Sequence, residues 1–169
     1  FIEQLRRYVR ERLIPAEEDV IANDRIPDDI LTEMREMGLF GITIPEEFGG
    51  AGMSISQYIE TVKQISYAAP AYRSTMSINV GMTGSAIKNF GTTEQKDFWL
   101  PRIASGEIAC FGLTEPGSGS DSAAMQTMAV RDGNGYKLTG TKRYITNSPA
   151  AKIGLIMART SKEALPKNA

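Results

Sequence analysis

The chain has 169 residues, of which 41% are hydrophobic and 23% charged, and its formal net charge is -1. This length allows one good core or two small ones, and the composition is that of an ordinary soluble globular protein. The near-zero charge leaves no basic face for nucleic acid, and no uncharged apolar run approaches the ~20 residues that a membrane span needs.

Histidine is absent and there is one cysteine, Cys110. The sequence therefore excludes Ser-His-Asp and Cys-His nucleophile systems and histidine metal sites from this chain. One cysteine cannot form an internal disulfide, which fits a reducing compartment. Because the carboxylates are scattered along the chain, we expect no metal site.

The first hundred residues show helical periodicity. Apolar residues three or four positions apart predict an amphipathic helix from Ile2, interrupted at Pro15 and resumed to about Ile21. Pro27, followed by two aspartates, predicts the start of the next helix, and Gly38 predicts its end. This half of the chain is therefore predicted to be helical.

Three further helices are predicted before residue 106. Ser54 is expected to cap a helix, and Thr92 begins a capping-box pattern that opens a short one. Between Arg73 and Lys88 there is no charged residue, so residues 71–89 are predicted to form a central helix buried on all sides. The expected inner face of the Ser54 helix is Ile55, Tyr58, Ile59, Val62 and Ile65.

Beyond Gly106 the hydrophobic period changes from about 3.6 to 2, which indicates strands. The residues DGNG at 132–135 predict a hairpin turn. Helices followed by strands favour an α+β fold: an all-helical N-terminal domain, residues 1–106, and an incomplete antiparallel β-domain, residues 107–169. The predicted strands are residues 108–113, 125–131, 136–145 and 153–159.

Residues 111–121, FGLTEPGSGSD, are predicted to be a strand that ends in a binding loop. Gly117 and Gly119 would permit unusual turns and close approach of a ligand, and the hydroxyls could hydrogen-bond to it. The loop lacks the lysine of a phosphate-binding P-loop, and a strand rather than a helix is expected to follow it, unlike a dinucleotide fingerprint. Taken alone, it is also compatible with a surface turn that satisfies its own backbone.

A second polar stretch, YITNS at residues 144–148, is predicted to end the third strand. If both strand ends point the same way, they form one shelf that suits a flat heteroaromatic ring. Tyr144 and Phe111 would supply apolar area, and Thr114 and Thr146 would reach polar atoms at the ring edge.

Four segments together resemble the acyl-CoA dehydrogenase family. They are GLTEPGSGSD at 112–121, YITN at 144–147, PEEFGG at 45–50 and FGTTEQK at 90–96. The first two resemble the family signature in its usual order, and the other two resemble the N-terminal helical domain. The resemblance covers essentially the whole chain.

The resemblance implies an FAD enzyme that oxidises the α,β carbon-carbon bond of an acyl-CoA thioester and passes electrons to an electron-transfer flavoprotein. The family has a helical N-terminal domain, a middle β-domain and a C-terminal helical domain that carries the catalytic glutamate. This chain would then be an N-terminal part without a catalytic residue and inactive alone. The implied assembly is a homo-oligomer, a tetramer or dimer, in a bacterial cytoplasm or a mitochondrial matrix.

The resemblance also implies cofactor-binding positions in this chain. Thr114 would line the isoalloxazine, Ser120 would lie near the FAD pyrophosphate and the acyl-CoA, and Tyr144 would pack against the ring face. Thr146 would hydrogen-bond near flavin N5, whereas Glu115 resembles a structural carboxylate rather than the base. The implied FAD-binding residues are Phe111, Leu113, Thr114, Ser120, Tyr144, Ile145 and Thr146.

Substrate and reaction subtype are open at this point. Residues 71–74, AYRS, resemble glutaryl-CoA dehydrogenase, in which Arg73 and Ser74 would meet the distal carboxylate of the substrate. The acidic residue expected two helical turns earlier is Ser66 here. The alternatives are an acyl-CoA oxidase, a nitroalkane-oxidase-like flavoenzyme, or a non-enzymatic protein on the same scaffold.

Overall fold

The computed structural model describes residues 1–161, in which helices are followed by strands, and this confirms the α+β class. The helices are α1 (Ile2–Tyr8), α2 (Glu17–Asn23), α3 (Asp28–Glu36), α4 (Ile55–Ile65), α5 (Pro70–Ser77), α6 (Ser85–Phe90) and α7 (Thr93–Ala104). The strands are β1 (Ala109–Gly112), β2 (Met128–Asp132), β3 (Gly135–Thr139) and β4 (Ile153–Ile156). Two π-helical stretches, Val9–Leu13 and Ile78–Gly84, extend α1 and join α5 to α6.

The structure confirms the first two predicted helices, including where they are interrupted and where they begin. The helix from Ile2 breaks around Pro15 and resumes as α2, and α3 begins directly after Pro27. Gly38, with a φ of +71°, turns the chain after α3 in the left-handed conformation that glycine adopts at low cost.

Helix α4 has the predicted capping box, in which Ser54 and Gln57 bond each other's backbone. Its predicted inner face is partly wrong, because Ile55 and Ile59 are 67% and 59% exposed. The helix instead buries Ile65 together with two polar residues, Thr61 and Gln64. Gln64 accepts a hydrogen bond from Arg6 Nε at 3.3 Å, so the side of α4 that faces α1 includes a polar contact.

The uncharged stretch forms one continuous helix over α5, the π-helical stretch and α6. One side is fully buried through Tyr72, Met76 and Val80. The other side is open among residues 1–161, since Met82 is 43% exposed and Phe90 is 88% exposed. The prediction that this helix is buried on all sides is therefore wrong for the described residues.

The π-helical stretch is bonded to the start of β1. Asn79 Nδ2 donates to the Glu107 carbonyl at 2.7 Å, and the Ala109 N–H donates to Asn79 Oδ1 at 2.8 Å. Thr83 Oγ1 donates to the Cys110 carbonyl at 3.1 Å. Both side chains are fully buried, so the helical part and the first strand are joined by hydrogen bonds shielded from water.

The strands form two separate pairs. β2 and β3 are the predicted antiparallel hairpin with Gly133 in its turn, but β1 pairs with β4 in parallel. The third strand was predicted to reach Ile145, yet it ends at Thr139. The chain leaves the hairpin there because residues 142–147 instead lie beside β1.

β1 and β4 pack on the helical part. Ile44, Leu100, Ile103, Ala109 and Ile153 form one buried cluster. The boundary at residues 106 and 107 stays a prediction. Within the described range, no helix is both long and apolar enough to cross a membrane.

We predict that Asn79→Ala lowers the free energy of unfolding by about 2 kcal/mol, because it leaves the Glu107 carbonyl and the Ala109 N–H unsatisfied in the core. Asn89→Ala, on the exposed end of the same helix, is the matched control and should change it by less than about 0.5 kcal/mol. Urea unfolding of both variants measures the difference. Equal effects would contradict the role of Asn79.

Candidate functional site

The loop after β1 is closed by its own backbone. The Glu115 N–H donates to the Ser118 carbonyl at 2.9 Å, and the Ser118 N–H donates to the Glu115 carbonyl at 3.2 Å. Ser118 Oγ also donates to the Asp121 carbonyl at 2.8 Å. The loop therefore has a defined shape before any ligand is considered.

Glu115 is a buried carboxylate, 6% exposed, that accepts hydrogen bonds from two sides. Its Oε1 atom accepts from Lys142 Nζ at 2.8 Å, from the Thr127 N–H at 2.9 Å and from the Thr127 hydroxyl. Its Oε2 atom accepts from the Gln126 N–H. The Lys142 ammonium, followed by the Thr127 hydroxyl, lowers the pKa of Glu115 to about 2. Because such a carboxylate is a weak proton acceptor, its chemistry is that of a structural anchor and not of a general base.

Residues 142 and 143 run alongside the loop. Lys142 Nζ donates to the Leu113 carbonyl at 3.1 Å, and the Arg143 N–H donates to the Thr114 carbonyl at 2.8 Å. Backbone and side chain thus hold the two motif segments side by side. This is the juxtaposition expected from the sequence, although residues 144–148 form a loop and not the end of a strand.

The other end of this second segment is bonded to the start of β1 and to α5. Asn147 Nδ2 donates to the Ala109 carbonyl at 3.0 Å and to the Thr75 carbonyl at 3.4 Å. Thr75 Oγ1 donates to Asn147 Oδ1 at 3.3 Å. Residues 143–147 therefore follow β1 from its end back to its start.

Part of this second segment lines an open cavity of about 860 Å³. Ile145, Thr146 and Asn147 form one wall, and Ser74 and Thr75 at the start of the central helix form another. The structure thus brings predicted substrate and cofactor residues, Ser74 and Thr146, to one space.

The remaining predicted residues are not in the lining of this cavity, among the residues described, and they differ in exposure. Phe111, Leu113 and Thr114 are half-buried, and Ser120 is exposed. Tyr144 is 78% exposed, with the Arg143 guanidinium 4.5 Å from its ring centre. Arg73 is half-buried and, among the residues described, is not in the lining of the cavity.

The hydroxyls of Thr114, Ser120 and Thr146 fit a polar ligand such as a flavin nucleotide. Within residues 1–161 none of the three makes a side-chain hydrogen bond, whereas the Ser118 and Thr127 hydroxyls are already used. A hydroxyl can both donate and accept, so three such groups remain for polar atoms of a ligand.

The loop glycines act differently from the prediction. Neither Gly117 nor Gly119 has a positive φ, and nothing lies within 4 Å of where a Cβ would be. Their effect here is an open, uncovered backbone and not an otherwise forbidden turn. The part of the chain that is described contains no group of three potential metal-ligating Cys, Asp or Glu side chains.

Sequence reasoning missed the residues that hold the two segments together. Lys142 and Thr127 are ordinary strand residues by pattern, so nothing local indicates that they meet Glu115. Asn147 has no such signal in the sequence either; its φ of +69°, in a region that asparagine tolerates better than most residues, is seen only in the fold.

Two family models match almost the whole chain. Residues 1–107 match the family model of the acyl-CoA dehydrogenase N-terminal domain, and residues 110–169 match the model of the acyl-CoA dehydrogenase middle domain. This chain belongs to the acyl-CoA dehydrogenase family.

Three similar proteins show how much of a family member the chain represents. It is 36% identical to the mitochondrial short-chain specific acyl-CoA dehydrogenase of Bos taurus, over 93% of this chain and 38% of that protein. A glutaryl-CoA dehydrogenase from Mycobacterium smegmatis in complex with FADH2 superimposes with a TM-score of 0.87 at 34% identity, over 94% of this chain and 41% of that one. A chain in the structure described as the electron transferring flavoprotein of Acidaminococcus fermentans gives a TM-score of 0.88 at 36% identity, over 95% and 43%. The chain thus spans 38–43% of the length of these relatives.

Acid should weaken the loop anchor. With a folded pKa of about 2 and an ordinary value of 4.5, ionised Glu115 stabilises the fold above about pH 4.5, and this contribution is lost as the pH falls towards 2. Glu115→Gln should therefore cost about 3 kcal/mol at pH 7, because it leaves Lys142 buried without its counter-charge, and the cost should shrink in acid.

Urea midpoints of both proteins between pH 7 and pH 3 measure this effect. Glu47→Gln, at an exposed carboxylate, is the control and should follow the parent protein throughout. A Glu115→Gln cost that stays constant with pH would contradict the assignment.

Proposed function

We propose that this chain supplies the first part of the flavin site of an FAD-dependent acyl-CoA dehydrogenase, which oxidises the α,β bond of acyl-CoA thioesters. The supporting observation is that Thr114 and Thr146 lie on two segments bonded side by side, each with a hydroxyl unused by the described chain. Membership of the family and the likeness to a relative solved with FADH2 support the same cofactor.

In this proposal the chain binds and orients FAD. Phe111 and Leu113 contribute apolar area, as does the Ile145 side chain, while Tyr144 packs against the ring face. Thr114 and Thr146 hydrogen-bond to polar atoms of the ring edge, Thr146 near N5, and exposed Ser120 meets the pyrophosphate and the acyl-CoA. Bound FAD supplies the hydride acceptor of the oxidation.

The threonines also explain how the chain favours the reaction. Donors fixed beside the ring stabilise the negative charge that develops on it, and they need no reorganisation because the backbone already holds them. The ion pair with Lys142 lowers the pKa of Glu115 and makes it a weak proton acceptor, so it does not take the substrate proton. That step belongs to a glutamate in the region that this chain does not cover.

The same proposal includes the wider setting of the enzyme. Electrons leave to an electron-transfer flavoprotein, a partner suggested by the description of one similar structure. The assembly is a homo-oligomer, a tetramer or a dimer, in the bacterial cytoplasm or, for a eukaryotic protein, in the mitochondrial matrix.

Flavin binding by the full-length protein tests the proposal. We expect a yellow protein with flavin absorbance that reduces an electron-accepting dye when acyl-CoA is added. Thr114→Ala and Thr146→Ala should each weaken FAD binding about tenfold, the effect of one lost hydrogen bond worth about 1.4 kcal/mol. Thr93→Ala, an exposed threonine on α7, is the control. A colourless protein that takes up no FAD would refute the assignment.

A dicarboxylic acyl-CoA is the second candidate substrate class, favoured by the position of Ser74 at the cavity and by the glutaryl-CoA dehydrogenase relative. If Arg73 binds the distal carboxylate, Arg73→Ala should lower kcat/KM for glutaryl-CoA by about 10- to 100-fold and leave butyryl-CoA unchanged, as a charge-assisted hydrogen bond is worth about 1.5–3 kcal/mol. Arg10→Ala, at an exposed arginine of the first helix, is the control. Equal losses on both substrates, or none, would exclude this role of Arg73.

A further inference from the structure

Asn147 stands apart from the other residues of its segment because its side chain is fully engaged within the protein. Its amide nitrogen donates to the carbonyls of Ala109 and Thr75, and its amide oxygen accepts from the Thr75 hydroxyl. These partners lie 38 and 72 positions away in sequence. One half-buried amide thus connects the start of β1, the start of the central helix and the loop.

The backbone of Asn147 restricts which residues can do this. Its φ of +69° lies in the left-handed region, which glycine adopts freely and asparagine and aspartate tolerate better than other residues. Glycine has no side chain to make the bridge. Aspartate would turn an oxygen towards two carbonyl oxygens, which repel it. Asparagine alone of these three satisfies both the backbone and the hydrogen bonds.

The bridge lies next to the residue on which the proposed cofactor contact depends. Thr146 precedes Asn147 directly, and the N–H of Arg143 bonds the Thr114 carbonyl at the other end of the segment. Thr146 is therefore held between two anchors four positions apart. The position of the Thr146 backbone relative to Thr114 depends on both anchors.

We propose that Asn147 is a positioning residue: it fixes the Thr146 hydroxyl at the flavin edge and ties that edge to the start of the helix that carries Ser74. The inference rests on the proposed flavin function. In this role Asn147 touches neither cofactor nor substrate, and its effect passes through Thr146 on one side and Thr75 on the other.

Three variants of the full-length protein separate this role from a general contribution to stability. Asn147→Gly keeps the backbone conformation and removes the side chain that makes the three hydrogen bonds. Asn147→Asp keeps the side-chain shape but replaces the donor nitrogen with an acceptor oxygen. Thr75→Val removes one of the three hydrogen bonds. Tyr72→Phe is the control, because it removes a different buried hydrogen bond, to the Leu13 carbonyl at 3.2 Å, within the helical core.

We expect Asn147→Gly and Asn147→Asp to weaken FAD binding about tenfold and to change the flavin reduction potential, with a smaller, about threefold, loss of affinity for Thr75→Val. Tyr72→Phe should lower the thermal midpoint and leave flavin affinity and potential unchanged. Unaltered affinity and potential in Asn147→Gly would overturn the proposal, as would a Tyr72→Phe variant that loses flavin to the same extent.

Hydrogen exchange in the flavin-free protein tests the anchoring without the cofactor. The Arg143 N–H, bonded to the Thr114 carbonyl, should exchange about tenfold faster in Asn147→Gly than in the parent protein and at the parent rate in Tyr72→Phe. An unchanged rate in Asn147→Gly would overturn the anchoring even if flavin binds. If the parent protein binds no flavin while Asn147→Gly still shows the faster exchange, the proposed function and the cofactor role of Asn147 are refuted and the anchoring is supported.

Discussion

The structure depends on how the backbone of β1 is satisfied. This strand has only four residues, with β4 paired in parallel beside it, and its remaining polar groups are met by side chains. Asn79 donates to the Glu107 carbonyl and accepts from the Ala109 N–H. Thr83 donates to the Cys110 carbonyl, and Asn147 donates to the Ala109 carbonyl. Because a buried N–H or carbonyl without a partner costs about 1–3 kcal/mol, these amides and the hydroxyl determine where the strand can lie.

The proposed flavin site follows from that attachment. Once β1 is fixed on the central helix, its loop is closed by Glu115, and Lys142 brings the second motif segment alongside. Every buried side-chain polar atom among the described residues has a hydrogen-bond partner, whereas the Thr114 and Thr146 hydroxyls remain available at the edge. Polar groups used for structure and polar groups left for a ligand are thus clearly separated.

Local signals in the sequence were sufficient for the helices. Caps at Ser54 and Thr92 and the glycine at Gly38 mark their ends, since these residues act on the nearest backbone groups. Which face is buried is less local, as Ile55 and Ile59 show. An apolar stripe can be wider than the surface that its neighbours cover.

The strands and the site were predictable only in part. Parallel pairing of β1 with β4 joins residues 44 positions apart, and no hydrophobic pattern encodes such a partner. The motifs identified Thr114 and Thr146, but Asn79 and Asn147, which attach their segments, were indistinguishable from helix and turn asparagines. Side chains that bond distant backbone are revealed only by the fold.

A crystal structure of the full-length protein with FAD bound tests the central claim most directly. The account predicts that the hydroxyl or backbone groups of Thr114 and Thr146 both lie within about 3.2 Å of polar atoms of the same isoalloxazine ring. A flavin bound away from these segments, or in contact with only one of the two threonines, would contradict it.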